Sequence, residues 1–294
     1  YQHSFGEKNN VKVLLGTEKI TGASMNFNAY RRHFTSTAID QMFAGGNALK
    51  DNGGAPDPLL NNARMSYFGR LNYDYSNKYL AEFVFREDGS YVFPPGHQFG
   101  FFPGISLGWR VSEEDFWKKN IHFINDFKIR GSWGQTGNDR IDPYQFAANY
   151  GYNGTYTFNQ NVVANTSSQV RTPNPDITWE VANQSNIGFD ATLLNSKLSV
   201  SFDYFYNIRS NILWWKNASV PSTAGLSLPQ QNFAKVSNKG YEFTAGYQDQ
   251  KGDFYYSVSI NGSYAQNKIV NWDETPGIPA YQQTTGHPMN AHLY

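Results

Sequence analysis

The stretch RMSYFGRLNYDYSNKYLAEFVFRED, Arg64 to Asp88, decides the fold. Met65, Tyr67, Gly69, Leu71, Tyr73 and Tyr75 share one parity, and Arg64, Ser66, Phe68, Arg70, Asn72 and Asp74 share the other. Past Ser76-Asn77-Lys78, Tyr79, Ala81, Phe83 and Phe85 alternate with Leu80, Glu82, Val84, Arg86 and Asp88. Successive side chains of a strand point to opposite faces, so this reads as a hairpin with one aromatic and one charged face. Each arm is about ten residues or more, roughly twice the mean strand of a soluble domain. A tilted strand crosses a bilayer in about 9–11 residues. The stretch therefore predicts two strands of a membrane barrel.

The composition of the whole chain agrees. Its 294 residues include 20 Tyr, 22 Phe and 7 Trp, yet the mean hydropathy is −0.59. No apolar run is long enough for a membrane helix. A β-barrel escapes hydropathy because lumen-facing polar residues dilute every strand. Formal net charge is zero with no basic block, which argues against a nucleic-acid partner. Cysteine is absent, which excludes disulfide frameworks, thiol chemistry and cysteine-based zinc sites. Tyr1 to Phe5 reads as the tail of a strand already under way, and the chain is expected to be an internal piece of a longer protein.

Further strands are expected over Asn10 to Thr21, Gly100 to Val111, Asp126 to Gly137, Trp179 to Leu193, Leu198 to Arg209, Val236 to Tyr247 and Phe254 to Asn267. Pro103 is expected near a strand's loop end. Ser112-Glu113-Glu114-Asp115 reads as a capped helix start, with Ser112 as the cap and Lys118-Lys119 suiting the other end. Short connections fall at 76–78, 194–197 and 248–253; long ones fall at 22–62, 89–99, 138–177 and 210–235. A short helical piece is expected near Ser36 to Ala44. Short periplasmic turns alternating with long outer loops mark an up-and-down outer-membrane barrel, whereas a soluble Greek-key sandwich gives no reason for the alternation.

The strand charges also take one parity. Arg64, Arg70, Asp74, Glu82, Arg86, Asp88, Arg110, Lys128, Arg130, Glu180, Asp190, Asp203, Arg209 and Glu242 all oppose the aromatic face. Glu87 and Lys239 are the exceptions and are read as lying at strand ends. A basic residue on the lipid face costs about 2–4 kcal/mol at the midplane and little near the interface. The aromatic parity is therefore assigned to lipid and the charged parity to a wet lumen.

Several blocks then resemble one family, the SusC/RagA class of TonB-dependent outer-membrane transporters of Bacteroidetes. They are Arg86-Glu87-Asp88-Gly89-Ser90, Phe102-Pro103-Gly104-Ile105-Ser106-Leu107-Gly108-Trp109-Arg110-Val111-Ser112-Glu113-Glu114 and Lys128-Ile129-Arg130-Gly131-Ser132-Trp133-Gly134-Gln135-Thr136-Gly137-Asn138. Pro173-Asn174-Pro175-Asp176-Ile177-Thr178-Trp179-Glu180, Asn186-Ile187-Gly188-Phe189-Asp190, Asp203-Tyr204-Phe205-Tyr206 and Asn238-Lys239-Gly240-Tyr241-Glu242 continue the series in order. Gly104 departs from the serine expected there. The resemblance implies an all-β, antiparallel up-and-down barrel of 22 strands with an internal plug, the transporter size class. It also implies a SusD-like surface lipoprotein, energy from the TonB-ExbB-ExbD complex, and oligosaccharide or peptide cargo. Residues 1–294 are expected to supply about ten strands of that barrel domain, without the plug, the TonB box or the closing C-terminal strands.

No catalytic constellation stands out. His3, His33, His97, His122, His287 and His292 are scattered without ligand spacing. Acids in Asp51 to Asp57 and Asp139-Arg140-Ile141-Asp142 do not follow a calcium loop, so no cofactor is expected and loop calcium is unsupported. Gly131-Ser132-Trp133-Gly134 lacks the spacing of a nucleophile elbow. Trp214, Trp215, Tyr150 and Tyr152 are candidates for cargo or lid contacts, with Trp214-Trp215 also readable as interfacial girdle. Arg70, Glu82, Arg86, Arg110, Lys128, Arg130, Asp190 and Asp203 are candidates to line the lumen. The competing reading is a soluble, aromatic-rich β-sandwich that binds glycans.

Overall fold

The computed structural model describes the chain except residues 26, 35, 37, 40, 47, 49–51, 57–59, 159–161, 217, 219–227 and 290–294, and except the side chains of 27, 52–56, 60, 152–155, 158, 162–166, 168 and 170. Fourteen strands follow one another: β1 (Gln2–Phe5), β2 (Asn9–Ser24), β3 (Phe27–Arg31), β4 (Asn52–Pro56), β5 (Leu60–Tyr75), β6 (Tyr79–Ser90), β7 (Phe99–Arg110), β8 (Ile124–Asn138), β9 (Asn149–Phe158), β10 (Val162–Arg171), β11 (Glu180–Leu193), β12 (Leu198–Trp215), β13 (Gln230–Lys251) and β14 (Phe254–Asn271). Ten of them form one sheet in the order β1-β2-β5-β6-β7-β8-β11-β12-β13-β14, with the paired strands antiparallel. A sandwich would require two sheets packed face to face. This single continuous sheet is a barrel wall.

The chain divides into two compact units, residues 1–17 with 66–294, and residues 18–65. In the smaller unit β3 pairs with β4, and Arg31 Nη1 donates to the carbonyl of Gly45 at 3.1 Å. The expected loop over 22–62 thus contains a two-stranded ribbon. Its expected helical piece is one 3-10 turn at Met42–Ala44, while residues 35, 37 and 40 lie outside the described ones.

In the larger unit the short links share one rim. The amide of Ser76 donates to the carbonyl of Lys8, Arg110 to Lys78, Leu194 to Phe123, and Gln248 to Lys197. At the hairpin turn Lys78 N donates to Tyr75 O at 2.9 Å, and the central residues Ser76 and Asn77 have φ of 51 and 59. That is the mirror-image turn whose twist suits a hairpin. Asn77 tolerates the left-handed backbone, and its own amide is held by Asp74 Oδ1 at 2.7 Å.

The link between β7 and β8 carries α1 (Asp115–Asn120) after a 3-10 turn. Ser112 is not its cap: the N-cap position is Glu114, and Ser112 Oγ donates to Asp126 on β8 at 2.7 Å. The serine gains a charged acceptor across the link instead of a helix amide. Glu114 in turn accepts from Tyr79 Oη at 2.6 Å, Trp109 Nε1 at 3.2 Å and Lys78 Nζ at 3.3 Å. The Tyr79 bond first, then Trp109 and Lys78, hold its carboxyl below the usual glutamate range against a smaller opposing effect of burial. A depressed carboxylate stabilises the fold above its unfolded pKa, and that contribution is lost as pH falls through the folded value. Glu114→Gln is therefore expected to lower thermal stability at neutral pH, with the deficit shrinking as pH falls below the usual glutamate range. A deficit that persists in acid would show that the charge of Glu114 is not what matters.

The opposite rim carries the long links. The segment expected as loop over 138–177 holds the hairpin β9–β10. β12 continues to Trp215 and β13 begins at Gln230, so the expected loop over 210–235 narrows to 216–229, and Pro221 lies outside the described residues. Similarly, the turn expected at 248–253 shrinks to Gly252-Asp253. β7 pairs with β8 only from Gly104 to Arg110, so Pro103, which has no amide to donate, stands where that ladder stops. Above it the long links fold over the charged face around Val92, Phe93, Phe102, Ile177 and Trp179, the main buried hydrophobic cluster. Asn174 Nδ2 donates to the carbonyl of Gln230 at 2.6 Å, and Asn232 exchanges bonds with the backbone of Thr178. The Pro173 to Glu180 block thus stitches a loop to the top of β13.

Candidate functional site: the two faces of the barrel wall

The aromatic face lacks a protein partner along most of its length. Tyr67, Phe101, Trp133, Tyr206, Tyr241 and Tyr264 are 41–56% exposed. Counting the ~9–11 residues that cross a bilayer from the short-link end of each strand reaches these six rings. They mark an outer girdle where amphipathic rings are favoured. At the other boundary, Tyr79 stacks between Tyr75 and Trp109, beside the short links. Between the girdles, Phe127, Phe189 and Phe202 succeed one another in ring contact across three strands, and Phe202 reaches Tyr241 of the outer girdle. The same count corrects one expectation. Lys239 is not at a strand end but well inside β13, two residues past Tyr241 on the side away from the short link.

The charged face is hollowed in two places. A hollow of about 770 Å³ is lined by Arg70, Glu82, Lys128 and Arg130 with Asn72, Ser106, Ser132 and Asn186. A second, of about 780 Å³, lies higher and takes in Arg86 and Asp88. Glu82 accepts from Asn72 Nδ2, and Arg86 reaches Asp88 at 2.6 Å and Ser66 at 2.9 Å. Arg110 pairs with Asp126 at 3.2 Å.

The densest network centres on Arg130. Its guanidinium holds Asp190 at 3.0 Å and both carboxylate oxygens of Asp203. Three strands meet here, because Gly188 of β11 stands opposite Arg130 on one side and Asp203 on the other. A Cβ at Gly188 would press on the Phe202 carbonyl and lie 2.7 Å from Asp203 Oδ1. Glycine is what lets the arginine and the aspartate meet over the intervening strand. All eight charged candidates lie on this face, as the parity requires.

The aromatic candidates separate. Trp214 contacts Trp272, with ring centroids 5.1 Å apart, and the two share a hollow of about 800 Å³ at the long-link end of the charged face. Its polar lining is mostly carboxamide: Gln184, Asn207, Asn238 and Asn267, beside Arg209, which pairs with Glu180 at 3.2 Å. Trp215 packs edge-on against Trp214 and is 50% exposed. Tyr150 stands on β9, exposed and outside this hollow; the side chain of Tyr152 lies outside the described residues. Trp272 and the carboxamides were not singled out by sequence. Asn207, Asn238 and Asn267 sit on the lumen parity of three adjacent strands, a signal visible only once the register is known. Asp142 pairs with Arg171 at 3.3 Å and Asp139 accepts from Ser90, while 51 and 57 lie outside the described residues. Among the described residues no three His, Asp or Glu converge as metal ligands, and no helix is long and apolar enough to cross a membrane.

An antiparallel wall with one aromatic face and one charged face defines a section of a β-barrel. The chain belongs to the TonB dependent receptor-like, beta-barrel family, whose model matches residues 1–291. TonB-dependent receptor P3 of Formosa agariphila is 32% identical over 97% of this chain and 28% of that protein. TonB-dependent receptor SusC of Bacteroides thetaiotaomicron is 30% identical over 71% of this chain and 21% of that protein. The RagAB peptide importer in its closed-closed state superposes with a TM-score of 0.82 at 21% identity, over 98% of this chain and 32% of that one. The resemblance to the SusC/RagA class holds, and the chain spans roughly a quarter of the curated relatives' length.

Proposed function

We propose that this wall belongs to an outer-membrane importer that draws oligosaccharides or peptides through its lumen, together with a SusD-like surface lipoprotein and energised by a TonB-ExbB-ExbD complex. Relatives that bear the names TonB-dependent receptor and SusC support the importer reading, and the RagAB likeness supports the fold it needs. The observation that carries a cargo site is the hollow roofed by Trp214 and Trp272. Carboxamides both donate and accept, and an indole face covers an apolar surface, a combination suited to a neutral, hydroxyl-rich ring. That favours oligosaccharide over peptide.

The test is uptake in cells whose intact receptor carries Trp214→Ala. Loss of an aromatic contact worth about 1–2 kcal/mol weakens cargo capture roughly tenfold. Uptake of neutral glycans is expected to fall while the receptor's level in the membrane stays constant. Unchanged glycan uptake, or loss of peptide uptake alone, would overturn the glycan assignment.

A further inference from the structure

Lys239 and Lys268 stand on the outward face of β13 and β14, immediately past Tyr241 and Tyr264. In the register Lys239 faces Gln266, and Ser237 faces Lys268. The two lysines are therefore diagonal neighbours, about 7–8 Å apart between backbones. Both are exposed, and among the described residues neither has a salt bridge. Like charges on neighbouring strands repel unless something negative lies between them.

There is room for it. A hollow of about 380 Å³ is bounded by both lysines, Tyr206, Ser237, Gln266 and Gly286. Its hydroxyl and carboxamide groups offer hydrogen bonds to an oxyanion beside the two ammonium groups. Its height is as telling as its charge. The tyrosine girdle fixes the edge of the hydrocarbon, and the next step outward is the level of lipid headgroups. Basic pockets at that level hold anionic headgroups.

We infer that Lys239 and Lys268 form a binding site for the phosphate of an outer-leaflet lipid, which in a Gram-negative outer membrane is lipid A. This rests on the outer-membrane reading above. The lipid would neutralise the pair and fasten one sector of the barrel to the leaflet around it.

The experiment uses the intact receptor purified from its own membrane in mild detergent, with retained lipid A counted by mass spectrometry. Lys239→Gln and Lys268→Gln each remove a charge and keep an unbranched, polar side chain. Each is expected to cut retention by about fivefold, and the pair by more. The double variant Lys118→Gln with Lys119→Gln, on the opposite rim, is expected to retain lipid A like the parent protein. Adding lipid A back to stripped receptor should restore binding, and dephosphorylated lipid A should not. Equal retention by the Lys239 and Lys268 variants, with heat-modifiable gel mobility confirming a folded barrel, would overturn the site and leave the importer reading untouched. A receptor recovered outside the membrane fraction would overturn both.

Discussion

Ile105→Arg is expected to destabilise the barrel by about 2–4 kcal/mol, while Ser106→Arg next to it costs little. The two residues are adjacent on β7 and face opposite ways. Ile105 is 46% exposed on the aromatic face, about midway between the girdles, whereas Ser106 lines both lumen hollows. An arginine at 105 must enter hydrocarbon or drag its headgroup contacts inward. At 106 it meets water and faces Glu82 across the strand pair. The measurement is the urea midpoint of the intact receptor in lipid bilayers, followed by heat-modifiable gel mobility. Equal costs at 105 and 106 would mean that both faces see water, and the membrane assignment would fall.

The second large effect belongs to Arg130. Arg130→Ala leaves Asp190 on β11 and Asp203 on β12, diagonal neighbours in the register, without the guanidinium that joins them. Breaking a fully buried pair costs about 3–5 kcal/mol. Here the side chains of Arg130, Asp190 and Asp203 are 30%, 44% and 19% exposed, so water screens part of the repulsion. An expected loss of about 1–3 kcal/mol follows from hydrogen bonds to charged groups in a partly wet site. The diagnostic is the double-mutant cycle. In an Asp190→Asn, Asp203→Asn background, Arg130→Ala should cost distinctly less, because no paired charges remain to be abandoned. Strict additivity would show that the three groups do not act as a unit.

Most of the strand core was legible because period-2 alternation is a local property. Arg64 to Asp88 shows its faces without help, and the same holds for Lys128 to Trp133 and for Asn186 to Asp190. What escaped was either long-range or chemically ambiguous. β10 carries Asn, Thr and Ser, which alternate weakly, whereas β9 keeps Tyr150, Tyr152, Tyr156 and Phe158 on one parity but reads as loop because its other positions are Gly, Asn and Thr. The last residues of β12 escaped for a different reason: the pairing with β13 shifts register after Arg209 and again at Ile212. An irregular ladder breaks the alternation that sequence reading depends on. Ser112 was misread as a cap because a serine before acids suits a helix start equally well whether its hydroxyl turns inward or, as here, toward Asp126.

By itself the sequence determined which residues share each face of the wall, since parity along a strand follows from backbone geometry alone. It also determined the alternation of short and long links, because turn residues and strand lengths are written locally. The tertiary structure alone decided which polar groups meet. Arg130, Gly188 and Asp203 are far apart in the chain and become neighbours only through the register of three strands. Trp214 and Trp272 share a hollow for the same reason, since β12 and β14 flank β13 at one height. That Lys239 lies well inside β13 rather than at its end was likewise decided only by the structure, which gives the strand its full length. Pairing between distant segments is a cooperative property of the whole sheet, and no window of sequence contains it.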